Sequence, residues 1–193
     1  RVPPIEPSIV FLGLKVGHSL CFPNRYPLKY AMISVQKAVI EYAIGLDPLV
    51  IDWSEMYWNV DELEKYGKGY NHFIGDPKRK DKRGRVVNHD VVISTSKTAK
   101  VLHDEEFFIS KEIAPNLKYM PERWGKARVI QSDGLVVLIV IAHPQPNPFR
   151  RIALVLPSYR RGVRRTQRTQ RELELQFKPD LVFYGGDLQL GFG

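Results

Sequence analysis

The chain has 193 residues, of which 29 are Lys or Arg and 21 are Asp or Glu, so its formal net charge is +8. A hydrophobic content of 44% is typical of a globular protein and excludes a uniformly basic, disordered tail. No apolar run approaches the roughly 18 residues that cross a bilayer, and a single cysteine, Cys21, excludes a disulfide framework. We therefore expect one globular domain over residues 1–193, in a reducing compartment such as the cytoplasm, with no membrane partner.

The excess of basic residues is confined to one segment. Residues 134–171 contain no Asp or Glu but eight arginines, and without these the chain has as many basic as acidic residues. Seven of them are candidate phosphate contacts: Arg150, Arg151, Arg160, Arg161, Arg164, Arg165 and Arg168. The eighth is Arg171. Such a face can bind a phosphate backbone without reading its sequence, so nucleic acid is the expected partner. The alternative is a solvated helix face, since Arg forms helices well.

The first half of the chain predicts a strand, a helix and a second strand. Ser8–Leu14 is a short apolar run of the kind found in buried strands. Ser34–Ile44 has apolar residues at helical spacing, with Ser34 as the cap at its start and Gly45 as the residue that ends it. Leu49–Trp53 follows directly and predicts another buried strand. This order favours an α/β sheet protein.

The middle of the chain predicts two hairpins. Tyr70–Ile74 and Val86–Ser94 are expected to be strands on either side of a charged loop at 76–85. Arg128–Ser132 and Leu135–Ala142 flank an Asp-Gly pair, which is typical of a tight hairpin turn. Because Leu135–Ala142 is apolar throughout, we expect a central strand that is covered on both faces.

A second helix and a last strand complete the pattern. Arg160–Phe177 has an apolar stripe on one side and arginines on the other, which indicates an amphipathic helix lying on a sheet. Leu181–Tyr184 predicts a further buried strand. The whole order of elements indicates mixed sheets with helices on the outside.

Polar residues follow three of these predicted strands. Glu55 comes after Leu49–Trp53, His143 comes after the central strand, and Asp187 and Gln189 follow the last strand after two glycines. Loops at strand ends are held rigidly while still reaching solvent. For each residue taken singly, the alternative interpretation is an ordinary surface or turn residue. Together, carboxylates, an imidazole and an amide would form a hard-metal and general-base site suited to phosphodiester chemistry.

The order of these motifs resembles that of the endonuclease/exonuclease/phosphatase superfamily, whose fold is the two-sheet α/β sandwich of deoxyribonuclease I. The family's Asp–strand–Glu motif is similar to residues 47–55 (DPLVIDWSE), and its strand-borne His to His143 in IAH. Its Gly-Asp-x-Asn turn is similar to residues 186–189 (GDLQ), and residues 89–94 and 120–124 resemble other family segments. The likeness covers nearly the whole chain and points to compact, Arg-rich members from bacteriophages and their bacterial hosts.

The resemblance implies a role for each site residue. Glu55 would be the ligand of Mg²⁺ or Mn²⁺, and His143 would bind the scissile phosphate and stabilise its developing charge. Asp187 would orient or deprotonate the attacking water, and Gln189 would contact the water and the phosphate.

Three departures from the family pattern bear on this assignment. Lys15 stands near the end of the first strand, where the family has an Asn; it can contact a phosphate but cannot ligate magnesium. Gln189 also replaces an Asn, which lengthens the side chain by one methylene. No Asp-His pair, which the family carries on its closing strand, follows Asp187. We therefore expect either a sequence that stops short of that strand or a degenerate member of the family.

The leading hypothesis is a magnesium-dependent phosphodiester hydrolase of nuclease type, acting on DNA or RNA because basic charge favours nucleic acid over a small phosphoester. The alternative is a catalytically degenerate member that binds nucleic acid or has a structural role. A third reading, a basic nucleic-acid-binding domain without catalytic ancestry, is disfavoured by the ordered Glu, His and Gly-Gly-Asp motifs.

Overall fold

The computed structural model describes residues 11–15, 29–54, 60–75, 91–111, 122–143 and 152–186. Its helices are α1 (Lys29–Gly45), α2 (Val60–Tyr66) and α3 (Ile152–Phe177). Its strands are β1 (Phe11–Lys15), β2 (Val50–Ser54), β3 (Tyr70–Phe73), β4 (Val91–Ser96), β5 (Lys100–Lys111), β6 (Glu122–Ser132), β7 (Leu135–Ile141) and β8 (Leu181–Gly185). None of the described helices is both long and apolar enough to cross a bilayer.

The strands form two four-stranded sheets, with the orders β1-β2-β4-β3 and β5-β6-β7-β8. The pairs β1–β2 and β7–β8 are parallel, and the remaining pairs are antiparallel. Residues of α1 and α2 pack on one side of the first sheet, residues of α3 pack on one side of the second, and a third cluster joins the two sheets. The chain is thus the two-sheet α/β sandwich that the sequence predicted.

Alternation along β2 shows how its sequence serves two cores. Ile51 and Trp53 pack in the cluster that contains α1 and α2, whereas Val50 packs in the cluster between the sheets. Successive side chains of a strand point to opposite faces, so Asp52 and Ser54 share the inter-sheet face of Val50. This places a carboxyl group between the two sheets.

The structure confirms the predicted hairpin with the Asp-Gly turn and the predicted central strand. Asp133 and Gly134 both have positive φ, at 49° and 82°, as the tight turn between β6 and β7 requires. Strand β7 lies between β6 and β8, and its apolar residues pack both against α3 and between the sheets. The continuous apolar run therefore corresponds to burial on both faces.

Both long helices begin earlier than the sequence predicted. Helix α1 begins at Lys29, so Ser34 lies inside it and is not its cap. Helix α3 begins at Ile152 and includes Pro157, after which the predicted helix began. Proline in a helix costs one backbone hydrogen bond, here the one that an amide at position 157 would donate to the carbonyl of residue 153.

Strand β8 forms as predicted but is not buried. Leu181, Val182 and Tyr184 are each about two fifths exposed, because β8 is the last strand in the order of its sheet and is paired on one side only. An apolar run in sequence does not distinguish such an edge strand from a central one. Within it, Phe183 is covered, stacking on Phe11 of β1 with ring centroids 4.4 Å apart.

Strand β5 was not predicted, since its centre is the acidic run of Asp104, Glu105 and Glu106. In the register, Asp104 lies opposite Arg128 and Glu106 opposite Lys126. Arg128 donates to both carboxylate oxygens of Asp104, at 2.6 and 2.8 Å. The acidic run is compatible with a strand because cationic partners on β6 neutralise it.

Candidate active site at the strand ends

The ends of β7 and β8 lie side by side. The two strands are parallel, with Ile141 opposite Gly185, and the amide of Ala142 donates to the carbonyl of Gly185 at 3.3 Å. The parallel arrangement brings two predicted site segments to one edge: Ala142–His143 after β7 and Gly186, the residue before Asp187, after β8.

Two glycines allow the chain to pass through a narrow space at this edge. Gly186 has φ +95°, and a Cβ there would overlap the backbone of Ala142. A Cβ on Gly185 would overlap the carboxylate of Asp52. The Gly-Gly pair is thus required by backbone conformation at one position and by close packing at the other.

Asp52 joins the two sheets at this point. Its Oδ2 accepts a hydrogen bond of 2.5 Å from the amide of Gly186, which is 134 residues away in sequence. Asp52 is only 3% exposed, and burial raises the pKa of its carboxyl from 3.8 to about 7, against the opposing effect of hydrogen bonds from Gly186 and Ser54. This buried acid therefore keeps its proton to a much higher pH than an exposed aspartate does.

His143 is buried beside Arg123. It is 1% exposed, and its Nδ1 lies 3.0 Å from Nη1 of Arg123. A guanidinium group can only donate, so Nδ1 must be the acceptor, and the proton of the neutral imidazole is then on Nε2. Arg123 thereby fixes the tautomer in which Nε2 carries the proton and can donate a hydrogen bond. An imidazole needs such a donor in order to bind an anionic oxygen.

The predicted site residues fall partly within the described structure. His143 lies at the edge just described. Lys15 is the last residue of β1, and its backbone is opposite Ser54 in the sheet register. The other predicted site residues, Glu55, Asp187 and Gln189, lie outside the described residues. So do two of the predicted phosphate contacts, Arg150 and Arg151.

Sequence reasoning missed two residues of this edge, Asp52 and Arg123. Asp52 left a signal, because it is a single carboxylate in the otherwise apolar run LVIDW. Arg123 lies in the segment 120–124 that resembles a family segment, but nothing near it in sequence indicates that it will be 5% exposed beside a histidine. Both were missed for the same reason: their contacts are with segments distant in sequence.

Among the described residues, no group of three or more His, Cys, Asp or Glu side chains is arranged to hold a metal ion. The described carboxyl at the edge, Asp52, has one of its oxygens, Oδ2, occupied by the amide of Gly186. The predicted oxygen donors, Glu55, Asp187 and Gln189, have the chemistry that magnesium prefers.

The arginines of α3 lie on a different surface. Gly162, Thr166, Thr169 and Leu173 face the sheet, whereas the arginines occupy the exposed side of the helix: Arg160, Arg161, Arg164, Arg165, Arg168 and Arg171. We call this set the arginine face.

Two members of the arginine face have partners. Arg165 donates to the carbonyl of Ile109 at 3.0 Å and stacks on Phe108, and Arg168 pairs with Glu172 at 2.8 Å. For Arg160, Arg161 and Arg164, no acidic partner is found within the described part of the chain. These three leave a concentrated positive charge toward solvent.

Solved structures of other proteins share this architecture. TDP2 from C. elegans superposes with a TM-score of 0.61 at 19% identity, over 83% of this chain and 43% of that one. TDP2 from D. rerio, in complex with a single-strand DNA product, gives 0.61 at 16% identity, over 94% and 61%. An endonuclease/exonuclease/phosphatase from Bacteroides vulgatus gives 0.64 at 11% identity, over 94% and 66%.

These likenesses define the fold. The protein is a two-sheet α/β sandwich in which strand ends from both sheets meet at buried polar residues. More particularly, it has the deoxyribonuclease I-like fold of the endonuclease/exonuclease/phosphatase superfamily, as the sequence resemblance implied. The chain spans 43% to 66% of the length of these three proteins. No family model matches the sequence, and no curated protein is significantly similar to it.

Proposed function

We propose that the protein is a metal-dependent phosphodiester hydrolase that cleaves nucleic acid at this edge of the sandwich. The observation that carries the proposal is the hydrogen bond between Asp52 and Gly186. It brings the middle of β2, three residues before Glu55, against the end of β8, one residue before Asp187. His143 comes to the same place because Gly186 packs on Ala142. This contact supports the proposal because the three strands involved are those that Glu55, His143 and Asp187 follow in sequence.

Each residue has a distinct part in this proposal. Glu55 would hold Mg²⁺ or Mn²⁺, which when bound neutralises charge on the phosphoryl oxygens. Asp187 would orient or deprotonate the attacking water, and Gln189 would contact the phosphate. Nε2 of His143, kept protonated by the donation from Arg123 to Nδ1, would donate a hydrogen bond to an oxygen on which negative charge develops. Lys15 would contact a neighbouring phosphate.

Nucleic acid is the substrate that the charge favours. The net charge of +8 comes from the arginine-rich segment, and the D. rerio TDP2 structure of the same fold holds a DNA product. Since the arginine face lies on the solvent side of α3 and not at the strand ends, we propose that it is a second contact. There it would bind a phosphate backbone without reading sequence.

The test of catalysis is cleavage of plasmid and of labelled DNA and RNA oligonucleotides, with Mg²⁺ and with EDTA. Glu55→Gln and Asp187→Asn should each lower the rate by at least about 10²-fold. Asp133→Asn is the matched control, since this exposed residue lies in the β6–β7 turn at the opposite end of the sheet. Absence of metal-dependent cleavage, or cleavage that survives both site substitutions, would refute the assignment.

The test of the arginine face is the salt dependence of binding. Replacing Arg160, Arg161 and Arg164 by Gln should lower affinity equally for unrelated sequences and reduce the slope of log K against log salt by up to about 3. Salt-dependent binding by a chain that does not cleave would instead favour the alternative, a degenerate member that binds nucleic acid. An unchanged slope would exclude this face as the contact.

A further inference from the structure

Asp52 is an unusual residue in its surroundings. Its neighbour on the same face of β2, Val50, belongs to the apolar cluster between the sheets, and so do Ile139 and Ile141 of β7. A carboxyl group in such a layer is costly, because burial removes its water. Among the described residues, its second oxygen, Oδ1, is buried without a hydrogen-bond partner. An apolar residue here would pack without this cost, so the stability of the core does not explain the presence of Asp52.

Apart from the hydrogen bond with Ser54 on the same face of β2, the contacts of Asp52 concern the turn after β8. Its Oδ2 accepts the amide hydrogen of Gly186 and lies directly against Gly185, where there is no room for a Cβ. On its other side, Gly186 packs on the backbone of Ala142, the residue before His143. The turn is therefore held between a carboxyl group of the first sheet and the end of β7.

We propose that Asp52 is a positioning residue: its hydrogen bond holds the Gly185–Gly186 turn against the end of β7 and so sets where the chain delivers Asp187 relative to His143. The inference rests on the proposed function, because positioning matters only if these residues act together. A displacement of about 1 Å in a reacting group can cost about 10²-fold in rate. The raised pKa is consistent with this role, since groups retained at the expense of stability are common at functional sites.

Two substitutions separate the hydrogen bond from the packing. Asp52→Leu has a similar shape but no acceptor, whereas Asp52→Asn retains a carbonyl oxygen for the amide of Gly186. We expect Asp52→Leu to lower kcat by about 10- to 100-fold with little change in KM, and Asp52→Asn to restore kcat to within about 3-fold of wild type. Thr95→Val is the matched control: Thr95 is also a buried polar residue of the first sheet, but it lies opposite Val50, at the other end of β2.

A second measurement does not depend on activity. The amide of Gly186, followed by NMR in a ¹⁵N-labelled chain, should be protected from hydrogen exchange in wild type and in Asp52→Asn, and should lose at least about 10-fold in protection in Asp52→Leu. Unchanged protection in Asp52→Leu would overturn the proposal, since the hydrogen bond would then not hold the turn.

The outcomes distinguish this inference from the proposed function. A wild-type chain that does not cleave refutes the proposed function, while the exchange measurement still decides whether Asp52 holds the turn. A wild-type chain that cleaves, with kcat unchanged in Asp52→Leu, overturns the positioning role alone. The positioning role is also overturned if Asp52→Asn lowers kcat as much as Asp52→Leu does. It is overturned too if the control Thr95→Val lowers kcat as much as Asp52→Leu does.

Discussion

Replacing Asp52 by Asn should make the protein more stable, and increasingly so as the pH rises. The carboxyl of Asp52 is buried between the sheets, and its pKa is raised from 3.8 to about 7. The folded protein therefore binds this proton more tightly than the unfolded chain does. Wild type should lose stability as the pH rises from about 4 to about 7, because folding then requires a charge to be buried or a proton to be taken up. The neutral Asn side chain carries no such cost.

The magnitude follows from the two pKa values. Each pKa unit corresponds to about 1.4 kcal/mol, so a rise from 3.8 to about 7 amounts to about 4 kcal/mol between the ends of this range. Below pH 4 the carboxyl is protonated in both states, and the difference between wild type and variant should be independent of pH. Above pH 7 the difference should reach its maximum.

The assay is urea denaturation of both proteins at intervals between pH 4 and pH 8. The free energy of unfolding of Asp52→Asn, minus that of wild type, should increase across the range by about 1.4 kcal/mol per pH unit. Asp133→Asn controls for a general effect of removing one carboxylate, because Asp133 is exposed. A difference that does not depend on pH, or that increases toward acid, would refute the account of Asp52 as a buried acid.

Three further tests, two of them comparisons of paired substitutions, concern other features of the structure. Gly186→Ala should cost at least about 3 kcal/mol and Gly134→Ala only about 1, since both have positive φ but only Gly186 would meet backbone atoms. Arg128→Lys should cost about 2–4 kcal/mol, because Arg128 is buried and bidentate, whereas exposed Arg168→Lys should cost less than about 0.5. Burial lowers the pKa of His72, so stability should fall as the pH drops below 6.5, and His72→Gln should remove that dependence.

Each of these expectations has a contrary result. Equal costs for the two glycine substitutions would mean that contact with Ala142 is not restrictive. A small cost for Arg128→Lys would mean that one ammonium group replaces the paired contact with Asp104. The effect of His72 is best measured in the Asp52→Asn background, because the two titrations act in opposite directions; a pH dependence that persists after His72→Gln would come from another group.

The sequence predicted those features of the site that depend on local pattern. Polar residues after apolar runs indicated His143, which lies beside the end of β8, whereas Glu55 and Asp187 stay predictions because they lie outside the described residues. It did not identify Arg123, which contacts His143 from a strand 20 residues away, because periodicity does not say which strands meet. Asp52 was visible as an interruption of an apolar run, but its partner Gly186 is 134 residues distant.

The sequence by itself determined the secondary structure elements that depend on residues close together in the chain. The Asp-Gly turn requires two residues that tolerate positive φ, the two-sided apolar run of β7 indicates burial, and the stripe opposite the arginines orients α3. Only the tertiary structure decided that β8 lies at an edge and that Asp52 of β2 meets the end of β8 beside the end of β7. Such contacts depend on which segments are neighbours in space, and a buried hydrogen bond such as that from Gly186 to Asp52 exists only after the two sheets have packed together.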